Sequence, residues 1–258
     1  MVGTCRGGAG RRPAGAAPPC WNPVLHQPKA GPLLLFYKAG PSPRRWWGMM
    51  MRSADHGRSW ADPEALPQRI LGPIRNKPLE LADSTLLCPS STEHRGWRCH
   101  LERTADQGAT WERLAALDAP WRFDAIQPCL LAWRDGRMQL LCRTRDETIG
   151  EAWSTDGGRV WTRLRPTTLP NPDSGIDAVV LRDGRALLVY NAARRARTPL
   201  NLALSRDGRR WRPSQVLEDG PGEFSYPAVI QGEDGRIHIT YTWHRRRIGY
   251  VALAPDEL

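Results

Sequence analysis

Short apolar runs separated by Gly, Pro and Asp recur along most of the chain. Asn22–Leu25, Leu33–Tyr37 and Trp46–Ser53 are followed by Pro78–Leu81, Leu86–Cys88 and Trp97–Arg103. Then come Pro128–Ala132, Met138–Cys142 and Ile149–Trp153, followed by Ala178–Leu181, Ala186–Tyr190 and Leu200–Leu204. Pro227–Ile230, Ile237–Tyr241 and Ile248–Leu253 complete the series. Runs this short, bounded by turn formers, predict strands rather than helices. Asp83-Ser84, Asp135-Gly136, Asp183-Gly184 and Asp234-Gly235 join the first and second strands of a group, as tight hairpins do.

Each of the first four groups ends in the same device. Ser53-Ala-Asp55-His-Gly57-Arg-Ser-Trp60 returns at Thr104–Trp111 and Ser154–Trp161, and one residue shorter at Ser205–Trp211. The copies start at 53, 104, 154 and 205, a period near 50 that signals stacked supersecondary units. Asp bonding its own backbone, Gly accepting a positive φ and Trp plugging the next strand make this a folding device. Four copies cannot share one active site. Antiparallel units of four strands at this period predict an all-β chain of the β-propeller type. Five blades are expected, at about 21–66, 74–117, 124–168, 174–217 and 223–258, the last without a fourth strand. Residues 1–20, rich in Gly, Ala, Pro and Arg, are expected to form a disordered leader.

Composition narrows the picture. Twelve Trp against three Phe follow from a repeat that uses one Trp per unit, and the net charge of +10 favours an anionic partner. No run approaches the roughly 18 apolar residues of a membrane helix, and the N-terminus lacks the apolar stretch of a secretory signal. The six cysteines form no Cys-x-x-Cys pair, and Cys88, Cys99, Cys129 and Cys142 are expected to be buried hydrophobes. Neither a metal nor a cofactor is expected, and the expected location is the cytoplasm. The basic run His244–Arg247 lacks a recognition helix or interleaved aromatics, so neither nucleic acid nor membrane is expected as a partner.

In an up-and-down blade the tight turns gather at two corners and the long loops at the opposite end, where function is expected. Eight residues before each hairpin Asp stand Arg75, Gln127, Gly175 and Tyr226. Lys38, Arg143 and Asn191 follow the second strands, Lys77 stands two residues after Arg75, and the loops beyond the second strands add Glu93, His94, Arg145, Glu151, Arg194, Arg195, Arg197, Trp243 and Arg246. Arginines gathered without a matching acid cluster suit a carboxylate, which a guanidinium can grip with two bonds. Trp46, Trp47 and Trp243 offer faces for a sugar, or blade packing.

The tryptophan-closed repeats resemble the Asp-boxes of the sialidase (neuraminidase) superfamily, over roughly residues 21–258. The resemblance implies a six-bladed propeller, of which an N-terminal blade is expected to be missing from this sequence. It also implies an exo-glycosidase holding a terminal acidic sugar. Matched by position, Arg143 and Arg197 take the roles of carboxylate-binding arginines and Tyr226 that of the nucleophile, a phenol being less repelled by the sugar's carboxylate than an acid would be. Arg75, Lys77, Gln127, Lys38 and Trp243 complete the expected substrate contacts. The pattern also departs from the family. The glutamate that partners the tyrosine falls at Gln127, which accepts no proton, so Glu151 or Glu223 is needed as base. The alternatives are a uronic-acid lyase or glycosidase using Glu93, His94 or Tyr226, and a carbohydrate-binding propeller without turnover.

Overall fold

A computed structural model describes residues 3–4, 18–94, 96–117 and 123–258. These divide into two compact units, Met1–Ala116 and Leu117–Leu258. Both are built from antiparallel meanders.

The first unit holds two blades. One runs β1 (Gly3–Thr4), β2 (Pro19–His26), β3 (Leu33–Ala39), β4 (Trp47–Ser53) and β5 (Glu64–Ala65), paired in that order. The other runs β6 (Leu79–Glu80), β7 (Leu86–Thr92), β8 (Arg98–Thr104) and β9 (Glu112–Arg113). Alternation along the strands sends Val24, Leu34, Phe36 and Met50 from one blade against Leu86 and Cys88 of the other. Within the expected leader, Gly3 and Thr4 pair with Cys20 and Pro19. Its residues 1–2 and 5–17 lie outside the described residues.

The second unit holds three blades. The first comprises β10 (Ala125–Ala132), β11 (Met138–Thr144), β12 (Thr148–Ser154) and β13 (Arg165–Pro170). The next comprises β14 (Asp177–Val180), β15 (Ala186–Asn191), β16 (Leu200–Ser205) and β17 (Arg212–Glu218). The last comprises β18 (Phe224–Gln231), β19 (Ile237–Trp243) and β20 (Arg247–Leu253), with no fourth strand among the described residues. One core forms between the first pair of blades around Leu131, Leu141, Ile176 and Leu188, another between the second pair around Leu187, Leu202, Val229 and Ile239. The first strands are neighbours, β10 beside β14 and β14 beside β18.

The repeated turns close as their composition demands. Ser53 Oγ accepts the Gly57 amide at 2.7 Å and meets Asp55 Oδ1 at 2.8 Å, while Asp55 accepts the Ser59 amide at 2.8 Å. The Thr104, Ser154 and Ser205 copies repeat this knot. The tryptophan does more than plug a strand. In three copies its indole N–H donates to the motif glycine's carbonyl at 3.0 Å, as Trp111, Trp161 and Trp211 show. Cys88, Cys99, Cys129 and Cys142 are buried thiols, while Cys20 is disulfide-bonded. Among the described residues no helix is long and apolar enough to cross a membrane.

Candidate functional site

The first strands do not break at their Xaa-Pro steps; they bulge. Register shifts fall between Trp21 and Val24, Ile126 and Cys129, and Ser225 and Ala228. Each contains a non-glycine residue in the left-handed region just before a proline: Asn22 (φ 46°), Gln127 (φ 53°) and Tyr226 (φ 53°). Arg75, from the same series in the first unit, has φ 70°. A bulge re-aims the side chain it carries, and such backbone costs about 1–3 kcal/mol, a strain concentrated at functional sites.

Tyr226 is 38% exposed, between the buried Ser225 and Pro227. Arg197, from the loop between β15 and β16, places its Cζ 5.2 Å from the phenol ring centre. Arg143, near the end of β11, is buried. Both guanidinia act on the ionisation of the phenol, through charge and through hydrogen bonding. Burial works to raise the phenol's pKa, but the charges of Arg197 and Arg143 outweigh it and move it below its ordinary value.

Carboxylates brace the arginines from behind. Asp173 Oδ1 lies 3.2 Å from Arg143 Nε, and the Asp173 carbonyl accepts from Arg197 Nη2 at 3.1 Å. Glu223 Oε1 accepts from Arg197 at 3.0 Å and from Ser225 at 2.7 Å, and its other oxygen accepts from Arg245 at 2.8 Å. Burial opposes ionisation of Glu223, yet bonds from Arg245, Ser225 and Arg197 hold its pKa below the usual carboxylate range. Asp173 moves the other way: burial raises it, and Arg143, Arg197 and Arg145 offset only part of the rise. Around this cluster stand Arg145, Arg194 and Arg195, of which Arg145 pairs with Asp124 and the other two with Glu147.

The second unit therefore brings together Tyr226, Arg143 and Arg197. Gln127 sits beside them on β10, where its neighbour Ile126 is paired with Arg143. Other expectations need correction. Lys38 is fully buried and donates to the Pro73 carbonyl at 2.9 Å, since its strand continues past the expected end and turns it inward beside Glu102. It presents no surface to a substrate. Trp243 is committed to packing: Phe224 and His244 meet its ring edge-on, and Arg247 Cζ lies 3.9 Å from its centre. Glu151 cannot serve as the base, because Arg165, Gln139 and Trp153 claim both of its oxygens in a buried network. Asn191 is likewise buried, its amide joining Pro199 and Phe224 carbonyls. Arg75, Lys77, Glu93 and His94 belong to the first unit, with His94 exposed and the other three partly buried.

Asp173 is absent from the residues that the sequence pattern singles out. Its loop has no apolar pattern, and only the Asn171–Ser174 turn reveals its position. A cavity of about 260 Å³ in the first unit, lined by Glu80, Ser84, Asp106 and Gln107, lies among the tight turns and offers carboxylates instead of cations. Among the described residues no cluster of three or more His, Cys, Asp or Glu is placed to hold a metal.

Repeated Asp-box turns on antiparallel blades, with an arginine-flanked tyrosine at the loop end, define a sialidase-like β-propeller. The chain belongs to the BNR repeat-like domain family, whose model matches residues 10–239. No curated protein sequence matches the chain. Among solved structures it is similar to a protein of unknown function from Dyadobacter fermentans, with a TM-score of 0.73 and 21% identity over 86% of this chain and 71% of that one. It is also similar to a Hadza microbial sialidase, with a TM-score of 0.77 and 19% identity over 93% of this chain and 53% of that one. A third similar structure is the Trypanosoma rangeli sialidase in complex with 2,3-difluorosialic acid, with a TM-score of 0.74 and 16% identity over 95% of this chain. The chain spans about half the length of these two sialidases, 53% and 45%. At such identities the likeness shows the fold.

Proposed function

We propose that the protein is a sialidase-type exo-glycosidase acting on a terminal acidic sugar. The observation that carries this reading is a single phenol held between two arginines, Arg143 and Arg197. The arginines bind the sugar's carboxylate and, by the same charge, make Tyr226 a better nucleophile. Tyr226 attacks the anomeric carbon as the bond to the leaving oxygen breaks, the phenol's proton ending on that oxygen, and water then releases the sugar and returns a proton to the tyrosine. Glu223, ionised and tied to three donors, orients Arg197 and is poorly placed to take a proton. Sialidase names among the similar structures support the substrate class.

Gln127 favours a second reading, a carbohydrate-binding propeller without turnover, because no carboxylate stands where the resemblance expects one. Release of 4-nitrophenol from an aryl sialoside separates the two. The hydrolase reading expects release that falls at least ~10²-fold in Tyr226→Phe, while binding of free sialic acid stays within a few-fold. Binding by the wild type without release supports the module; neither binding nor release overturns both.

A further inference from the structure

We propose that Asp173 is a positioning residue for Tyr226, holding Arg143 by its carboxylate and Arg197 by its backbone carbonyl, and setting how much of their charge reaches the phenol. This rests on taking the arginine–tyrosine cluster as the functional site.

The loop that carries Asp173 is pinned at both ends. The Asn171 side chain donates to the Ser174 carbonyl at 3.0 Å and accepts the Ser174 amide at 2.9 Å, and the Asn171 amide donates to the Glu147 carbonyl at 3.0 Å. Asn171 and Ser174 are fully buried. Between them Asp173 has φ 54°, a conformation that Asp tolerates better than most residues but that still needs its surroundings to hold it. The turn thus delivers one residue to both arginines through two different groups, Oδ1 at 3.2 Å from Arg143 Nε and the carbonyl at 3.1 Å from Arg197 Nη2.

Charge gives the contact its consequence. Arg143 faces Asp173 from β11, Arg145 from the turn after β11, and Arg197 from the loop between β15 and β16. Tyr226, Glu223 and Arg245 lie beyond the arginines. With glutamine at 127, Asp173 supplies a carboxylate to Arg143, its Oδ1 3.2 Å from Nε. When ionised it cancels part of the field that stabilises a phenolate or a bound carboxylate. When it gains a proton, that field is restored. Burial moves this protonation up from the ordinary carboxylate range, whereas the bonds from Arg245, Ser225 and Arg197 move that of Glu223 down.

The test follows the phenol directly, in the full chain labelled with ¹³C at tyrosine Cζ, and uses Tyr226→Phe to assign the Tyr226 resonance among the five tyrosines. In Asp173→Asn, which keeps the carbonyl and suits a left-handed backbone, the alkaline midpoint of Tyr226 is expected to fall by about one pH unit. Asp124→Asn, which removes a carboxylate from Arg145, is expected to leave it unchanged. In the wild type the same resonance is expected to show a second inflection on the acid side, absent from Asp173→Asn. An unchanged or raised midpoint in a folded Asp173→Asn overturns the proposal. So does a wild-type titration without the acid-side inflection, a result that stands even if the variant fails to fold. The readout is ionisation instead of turnover, so a chain that binds sugar without cleaving it tests Asp173 equally well, and failure of the glycosidase reading remains a separate result.

Discussion

Lys38 and Tyr226 show how the same fold treats two polar side chains at loop-end positions. Tyr226 is turned outward by its bulge, whereas Lys38 has no bulge and points into a pocket with Glu102, Cys88 and the Pro73 carbonyl. Burial pulls Lys38 down to about 7, with Glu102 and Cys88 acting in the opposite direction. The ordinary lysine value is near 10.4, so between about pH 7 and 10 the unfolded chain holds a proton that the folded chain lacks. Stability then rises with pH across that window. In urea unfolding at pH 7 and pH 9, the wild type is expected to gain on Lys38→Met, and an equal difference at both pH values would contradict the assignment. Glu102 is the group that makes this burial tolerable. It accepts the Leu71 and Gly72 amides and lies 2.8 Å from His100 Nε2. Glu102→Ala leaves these donors and the lysine unmatched, and is expected to cost about 3–5 kcal/mol in the same experiment.

At the scale of the element, the Asp-box turn is an electrostatic knot as much as a bend. Asp55 is lowered to about 2, chiefly by the Ser59 hydroxyl, and Asp106 to about 2, chiefly by the Thr110 hydroxyl. For a depressed carboxylate the stabilisation is complete above its ordinary value near 4 and is lost as pH falls through about 2. The double variant Asp55→Asn, Asp106→Asn is therefore expected to melt below the wild type at pH 7, with the gap closing toward pH 2. A gap independent of pH would mean that the carboxylate charge is not what the turns use. These turns are legible in the sequence because their chemistry is local, and with them come the blades and most strand positions. The apolar pattern starts the first strands of the third and fifth blades three residues late. Gln127-Pro128 and Tyr226-Pro227 look like breaks, and only pairing across the sheet shows a bulge through which the strand continues. Arg143, Arg197 and Tyr226 are legible through family resemblance. Asp173 is not, because its role depends on a loop folding back onto arginines 30 residues before it and 24 after it. Trp243 and Glu151 mislead for a related reason: composition cannot tell an aromatic or acid that packs between strands from one that faces a ligand.

At the scale of the whole molecule, the +10 charge gains meaning from where some of its arginines fall. Arg145, Arg194, Arg195 and Arg245 are exposed on the loops around the second unit's cluster, where a positive field raises the local concentration of an anionic ligand. The central claim is that Arg143 and Arg197 grip a sugar's carboxylate beside Tyr226. The measurement that tests it most directly is calorimetric titration of the full chain with N-acetylneuraminic acid and with its methyl ester, which differs by one charge. The acid is expected to bind and the ester to bind at least ~10-fold more weakly, with Arg143→Ala and Arg197→Ala each losing most of that discrimination while staying folded. Equal affinity for acid and ester, or discrimination that survives both substitutions, would contradict it.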